Sequence, residues 1–355
     1  MMMKNWPVIT LGLVLLAGLV APFADKSTAP GFYVEVLLGG LMAGVLYSLV
    51  ALGFALIFKA SGVFNFAQGA MVLFAALAVA RLAEKVPLWE AQISSRLGIS
   101  PILEGIPPLW VAVPLAMVIM VALAWLIERL VLRPLVNQEA VALLMATLGV
   151  SYFLDGFGQT VWGSDIYSIE LGIPKEPVTI LENLFQGGIL VNKEDFVAAI
   201  VAAALVAALA LFFQKTATGR ALRAVADDHQ AAQSIGIPLH RIWVIVWSVA
   251  GLVALVAGVI WGSKLGVQFS LAQVALKALP VVILGGFTSV TGAVVGGLII
   301  GVGEKMAEVF LGPVLVKAFD LAGGGIENWF AYMLALLFLL VRPEGLFGEK
   351  HIDRV

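Results

Sequence analysis

A chain of 355 residues with 61 % apolar side chains, 12 % charged ones and a formal charge of −2 is too poor in charge for an ordinary soluble domain, which carries about twice as much. Its mean hydropathy of +1.03 makes the bilayer its solvent. The near-neutral balance, without a dense basic patch, excludes phosphate-tracking nucleic-acid binders, and the lack of cysteine excludes disulfides, thiolate metal sites and cysteine nucleophiles.

A spanning helix needs about 20 largely apolar residues. Ten segments read as spans: 8–23, 34–58, 66–82, 109–127, 140–162, 196–213, 242–261, 271–284, 291–310 and 329–341. The eighth and tenth are short enough to be half-helices. The first, preceded by Lys4, also resembles a signal peptide, but Pro22 sits badly at a small-residue cleavage site and we read a retained span. Outside the spans, Lys and Arg number eleven on the side of the two termini and seven on the other, which favours both termini in the cytoplasm. The expectation is an all-α polytopic membrane protein of about ten transmembrane helices, with residues 1–355 forming a single transmembrane domain.

In chain order, Gly40 and Gly44 come first, four residues apart in the second segment, a spacing that lets another helix approach closely. Asn65 and Gln68 stand at the boundary of the third segment. Two readings are open: they belong to a broken helix that faces a translocation path, or they cap helix ends. The loop 83–108 and the loop 163–195 read as linkers on the membrane surface or as short surface helices that receive an external partner. Ser151, Asp155 and Gln159 recur at four residues along the fifth segment. Burying Asp155 in lipid is expensive, so it faces protein, water or the external rim; Lys277, Glu304 and Lys305 raise the same question. Asn65, Gln68, Ser151, Asp155 and Gln159 are the candidate translocation path.

Residues 214–241 interrupt the apolar runs with a polar, helix-forming interval. Ala221, Leu222, Val225 and Ala226 make a short apolar stripe beside Arg220, Arg223 and Asp227, and Gly236 and Pro238 stop the helix. Further on, Gly285-Gly286 with Thr288-Ser289 reads as a tight turn. Gly292/Gly296 and Gly297/Gly301 then repeat the four-residue spacing and read as helix-packing faces. A five-plus-five split of ten spans sets the halves in opposite orientations. The stretches Gly62-Val63-Phe64-Asn65-Phe66-Ala67-Gln68 and Gly266-Val267-Gln268-Phe269-Ser270-Leu271-Ala272-Gln273 echo one another as an inverted repeat would.

Chemistry of its own is not in the sequence. There is no Gly-x4-Gly-Lys-Ser/Thr phosphate loop, the histidines (His229, His240, His351) are too scattered to hold a metal, and no nucleophile–base set or paired carboxylates occur. We expect no cofactor, and any ATPase that drives the chain must be another polypeptide.

Several runs, in this order, carry a resemblance over nearly the whole chain. They are Gly44-Val45-Leu46-Tyr47-Ser48-Leu49-Val50-Ala51-Leu52-Gly53, Asn65-Phe66-Ala67-Gln68-Gly69, Arg133-Pro134-Leu135, Ala146-Thr147-Leu148-Gly149-Val150, Gly219-Arg220-Ala221-Leu222-Arg223-Ala224, Leu284-Gly285-Gly286-Phe287 with Gly292-Ala293-Val294, and Arg342-Pro343-Glu344-Gly345-Leu346-Phe347-Gly348. Together they resemble the LivH-type permease of branched-chain amino-acid ABC importers, a family of the bacterial inner membrane. The resemblance implies a sister permease of the LivM type, two cytoplasmic ATPase subunits and a periplasmic substrate-binding protein. It matches Thr218–Ile235 to the cytoplasmic helix that sits in a cleft of the ATPase, with Gly219, Arg220, Ala221, Leu222, Arg223, Ala224 and Gly236 as the coupling residues. Two departures stand out: members usually have His where Gln68 stands, and the loop 83–108 is longer than usual. Relatives serve urea, short amides and aromatic acids as well as leucine, isoleucine and valine. The competing class is an ion-coupled secondary transporter, which an inverted repeat suits equally. It needs intramembrane ionisable groups, for which Asp155 and Lys277 are thin material, and it leaves the interval after Ala217 without a purpose.

Overall fold

The computed structural model describes residues 30–62, 64–84, 96, 108–135, 138–185, 187–227, 229–320 and 325–348. The predicted span 8–23 and most of the loop 83–108 lie outside the described residues. The helices are α1 (Pro30–Ser61), α2 (Gln68–Leu82), α3 (Pro108–Ile127), α4 (Ala140–Trp162), α5 (Lys193–Lys215), α6 (Ala217–Asp227), α7 (His229–Ser234), α8 (Leu239–Leu265), α9 (Ser270–Leu276), α10 (Ala278–Gly285), α11 (Val290–Met306), α12 (Gly312–Phe319) and α13 (Ile326–Val341). Wider π turns extend α3 over Glu128–Leu132 and α11 over Ala307–Leu311.

This is an all-α polytopic membrane protein. Among the described residues, five helices (α1, α3, α4, α5 and α8) are long and apolar enough to cross a membrane, or up to six if the bent pair Ser270–Gly285 and Val290–Lys317 is one span. The segments read at 66–82, 271–284 and 329–341 are helical but short or broken. At 1.5 Å per residue the 15 residues of α2 reach only about 22 Å of a hydrocarbon layer about 30 Å thick. Only 33 %, 28 % and 22 % of the apolar windows of α3, α4 and α5 are buried, against 72 % for α1 and 61 % for α8. The first three are therefore peripheral helices whose apolar faces meet lipid or another subunit.

Where linkers or short surface helices are expected in the loop 163–195, the structure has a β-hairpin. β1 (Pro177–Ile180) pairs antiparallel with β2 (Ile189–Asn192), Val178 opposite Val191 and Thr179 opposite Leu190. The runs Val178-Thr179-Ile180 and Ile189-Leu190-Val191 are β-branched or bulky and suit a half-buried pleat: Ile189 and Val191 turn inward, Leu190 and Asn192 outward.

By internal contacts the chain divides into two compact units. One comprises residues 30–55, 173–210 and 277–348; the other comprises 56–172 and 211–276. The units are thus not the first and second halves of the sequence.

In the first unit, α11 packs α1 on one side and α10 on the other through glycines. A Cβ on Gly44 would lie 2.7 Å from the carbonyl oxygen of Gly297, and one on Gly301 2.4 Å from the Gly44 backbone. Toward α10, a Cβ on Gly292 would lie 2.1 Å from the Gly285 carbonyl and one on Gly296 2.7 Å from that of Val281. Gly286 (φ 103°) makes the turn between α10 and α11, and the Ser289 hydroxyl caps α11 by accepting from Gly292 N at 2.9 Å. After α13, the amides of Leu346 and Phe347 donate to the last carbonyls of α10, Leu284 and Gly285, at 2.8 and 3.0 Å.

The second unit is built on α2, which is apolar all round and buried at every residue except Arg81, as such a helix must be. It is packed by α3, α4, α8 and α9. Gly258 of α8 and Gly69 of α2 permit the closest approaches, since a Cβ on either would meet a backbone oxygen, of Val72 or Ala272, at 2.6 Å.

Candidate functional site

Between α1 and α2 the second unit carries non-helical backbone, beginning at Gly62 (φ 70°). Groups freed at such a break must be satisfied by protein if they lie at membrane depth. Thr147 of α4 does this: its hydroxyl, shared between Leu144 O of its own helix at 2.9 Å and Phe64 O at 3.1 Å, also receives Phe66 N at 3.4 Å. The Asn65 side-chain carbonyl oxygen accepts from Ala67 N at 3.0 Å, folding the chain locally, and its amide reaches Gln68 Oε1 at 3.3 Å. Gln68 in turn donates to Ala250 O of α8 at 3.3 Å. Asn65 and Gln68 are fully buried. They tie α2 to its neighbours rather than present amides to an open space.

Beside this break lies a cavity of about 410 Å3 between α2, α4 and α9. Ser151 and Asp155, one turn apart on α4, line one wall, Gln273 of α9 the opposite wall, and Phe66, Phe269 and Leu148 its apolar part. Close contact of Gly69 with the Ala272 backbone sets the spacing of α2 and α9, and Gly69 itself lines the space. The Asp155 Oδ1 atom is buried and has no hydrogen-bond partner. Gln159, a further turn along α4, is exposed and does not line the cavity. Of the five residues in the candidate path, the structure brings two into one recess, sets two into packing beside it and leaves one outside. In the sequence Gln273 is visible only as part of the repeat echo, and Thr147 only as part of a motif run.

A second polar cluster sits within the first unit. Lys277, at the break before α10, donates to Glu304 Oε1 of α11 at 3.1 Å, and the Tyr47 hydroxyl of α1 donates to the same oxygen at 3.1 Å. Glu304 is nearly inaccessible. A charge in a spanning segment is tolerated when it is paired in this way.

The polar interval is helical over α6 and again over α7, and Gly236 (φ 87°) closes α7 while Ile237 N bonds back to Ala232 O at 3.0 Å. Leu222 and Val225 are buried, whereas Arg220 and Arg223 are exposed; Ala221 and Ala224 are half-buried. The junction of α5 and α6 is tightly defined. Arg223 donates to the Phe213 and Gln214 carbonyls at 2.6 and 3.4 Å and Arg220 to that of Lys215 at 3.3 Å. These are the acceptors that a helix C-terminus leaves open. A Cβ on Gly219 would stand 1.9 Å from Phe213 O, so only glycine allows this elbow.

Apolar helices, a break before α2 backed by polar side chains and a recess lined by Asp155 are the features of a polytopic membrane protein, and its family makes it a transport component. The chain belongs to the family of branched-chain amino acid transport system permease components, whose sequence model matches residues 36–342. It is 26 % identical over 340 residues to the high-affinity branched-chain amino acid transport system permease protein LivH of Salmonella typhimurium, covering 91 % of this chain and 98 % of that protein. BraD of Pseudomonas aeruginosa, described in the same words, is 26 % identical over 326 residues, again covering 91 % and 98 %. Among solved structures, PsaBC from Streptococcus pneumoniae in complex with Fab aligns with a TM-score of 0.42 at 15 % identity, covering 88 % of this chain and 94 % of that one.

Proposed function

We propose that this chain is the LivH-type permease subunit of an ATP-binding-cassette importer. It forms part of the path for branched-chain amino acids, or a related small polar solute, delivered by a periplasmic binding protein. The observation that carries this is membership of the permease family over residues 36–342. A sister permease of the LivM type completes the path, and two separate ATPase subunits supply the energy, since the chain has no phosphate loop of its own. The setting is the bacterial inner membrane with both termini cytoplasmic, the side favoured by the distribution of Lys and Arg.

In this reading residues 214–241 are the coupling segment. The elbow at Gly219 supports it: α6 is held at a fixed setting to the end of α5 by backbone contact and by Arg223. Force applied to the exposed face of α6 therefore reaches a spanning helix without slack. Arg223 is then chiefly a positioning residue, and the exposed Arg220 and Ile235 are the side chains that would meet the ATPase. The recess holding Ser151 and Asp155 is the candidate stretch of translocation path.

Reconstitution tests the reading. The chain with its sister permease, ATPase subunits and binding protein in proteoliposomes should take up leucine only with ATP and binding protein, and uptake should survive collapse of ion gradients. Uptake by the permease alone, driven by an ion gradient without ATP, would replace this reading with the ion-coupled transporter.

A further inference from the structure

The carboxylate in the recess has a consequence for selectivity. Resting on the importer reading, we propose that the cavity between α2, α4 and α9 is a solute site within the permease itself. It takes a primary ammonium group carried beside a small aliphatic side chain, with Asp155 as the acceptor and specificity-determining residue.

The lining residues include no Lys, Arg or His, so nothing in the cavity wall neutralises Asp155. A carboxylate in a spanning helix is costly unless it meets a compensating charge or water, and here the compensating charge arrives with the solute. Ser151 and Gln273 can both donate and accept hydrogen bonds, which serves the remaining polar atoms of an amino acid. Phe66, Leu148 and Phe269 supply the apolar part of the wall, suited to an aliphatic side chain. The volume of about 410 Å3 is that of a small-solute pocket. An acid without an amine finds no cationic partner there and is repelled by Asp155. Urea and neutral amides carry no positive charge for it to attract. The site therefore separates amino acids from the other solute classes that a permease of this type can serve.

The test is equilibrium binding of tritiated leucine to the permease complex as it purifies from the membrane, without binding protein. On the wild-type complex, leucinamide, which keeps the ammonium group, should displace leucine, whereas 4-methylpentanoate, which lacks it, should not. Asp155→Asn should weaken leucine binding about ten-fold or more, the worth of one charge-assisted hydrogen bond. Displacement by 4-methylpentanoate as effectively as by leucinamide overturns the proposal, as does a wild-type complex that holds no leucine. Because the competition is read on the wild-type chain, its outcome does not depend on the variant folding. If Asp155→Asn instead releases the sister permease and leucine is not bound, Asp155 belongs to a subunit interface and the site is overturned. ATP-dependent uptake of a solute without an amine leaves the importer reading standing while removing this site. Gradient-driven leucine uptake with the competition pattern intact does the reverse.

Discussion

The first unit closes glycine against glycine, whereas the second packs around α2 through one-sided contacts and leaves a space. Gly44 meets Gly297 and Gly285 meets Gly292, backbone to backbone from both partners. Around α2, Gly69 meets Ala272 and Gly258 meets Val72, and side-chain bonds from Thr147, Asn65 and Gln68 hold the rest. A seam of two backbones has no rotamer to change, so it admits one spacing. A junction held by hydroxyl and amide bonds can exchange partners while its backbone stays satisfied. The first unit therefore supplies a closely packed frame, and the second carries the recess.

The sharpest way to break this contrast is to enlarge a residue in the seam. Gly297→Leu places a side chain where even a Cβ would lie 2.0 Å from Ser48 Oγ and 2.7 Å from Gly44 O. Overpacking an ordinary core costs about 1–3 kcal/mol, and here backbone must move, so assembled protein should be lost from size-exclusion profiles after extraction. Gly296→Leu, against Val281 O, should behave alike. Gly149→Leu should be tolerated, because no atom lies within 4 Å of its Cβ position. Equal tolerance at all three positions would mean that the seam is not what holds the frame.

The charge cluster gives the next largest effect. Lys277→Met removes a cation bonded to the buried Glu304, and breaking a buried pair costs about 3–5 kcal/mol. The double variant Lys277→Met with Glu304→Gln should recover most of that loss, measured as thermal unfolding of the detergent-solubilised protein. A double variant no better than the single would show that the pair holds geometry that a neutral pair cannot.

At the elbow of the second unit, Gly219→Ala should alter coupling more than folding. The added methyl conflicts with Phe213 O and must tilt α6 away from α5, which costs about 1–3 kcal/mol by the same overpacking argument. Membrane insertion should persist while ATP-dependent uptake falls. Unchanged uptake would free the coupling proposal from any dependence on this junction.

The long apolar runs reveal the spanning helices because each run is local and the bilayer sets its length. Spacing of four residues is also local, so it singles out Gly292, Gly296, Gly297 and Gly301. It does not tell that the first and second of these face α10 while the others face α1. What the sequence hides is long-range. Tyr47 reaches Glu304 across 257 positions and Thr147 reaches Phe64 across 83, and no local period announces either. Gln159 is the converse case: its spacing from Asp155 places it on the same helical face, but it does not line the recess. The hairpin of β1 and β2 is masked by the Pro, Gly and charged residues around two four-residue strands.

The smallest expected effect tests the adaptable side of the comparison. Thr147 stands between α4 and the broken backbone before α2, donating to Phe64 O and receiving Phe66 N. Thr147→Val keeps the shape and removes the hydroxyl that bonds Phe64 O and Phe66 N, at a cost of about 1–3 kcal/mol. Thr147→Ser keeps the hydroxyl and should lose far less. If the break is an adaptable junction, Thr147→Val should shift the balance of its conformations, and amide hydrogen exchange across residues 64–70 should rise more than in the seam of α1 with α11. Recess geometry should suffer with it, because Phe66 and Gly69 lie within that stretch and also line the cavity. Exchange that rises equally in both units would mean that the protein opens as one body, and the distinction between frame and recess would fail.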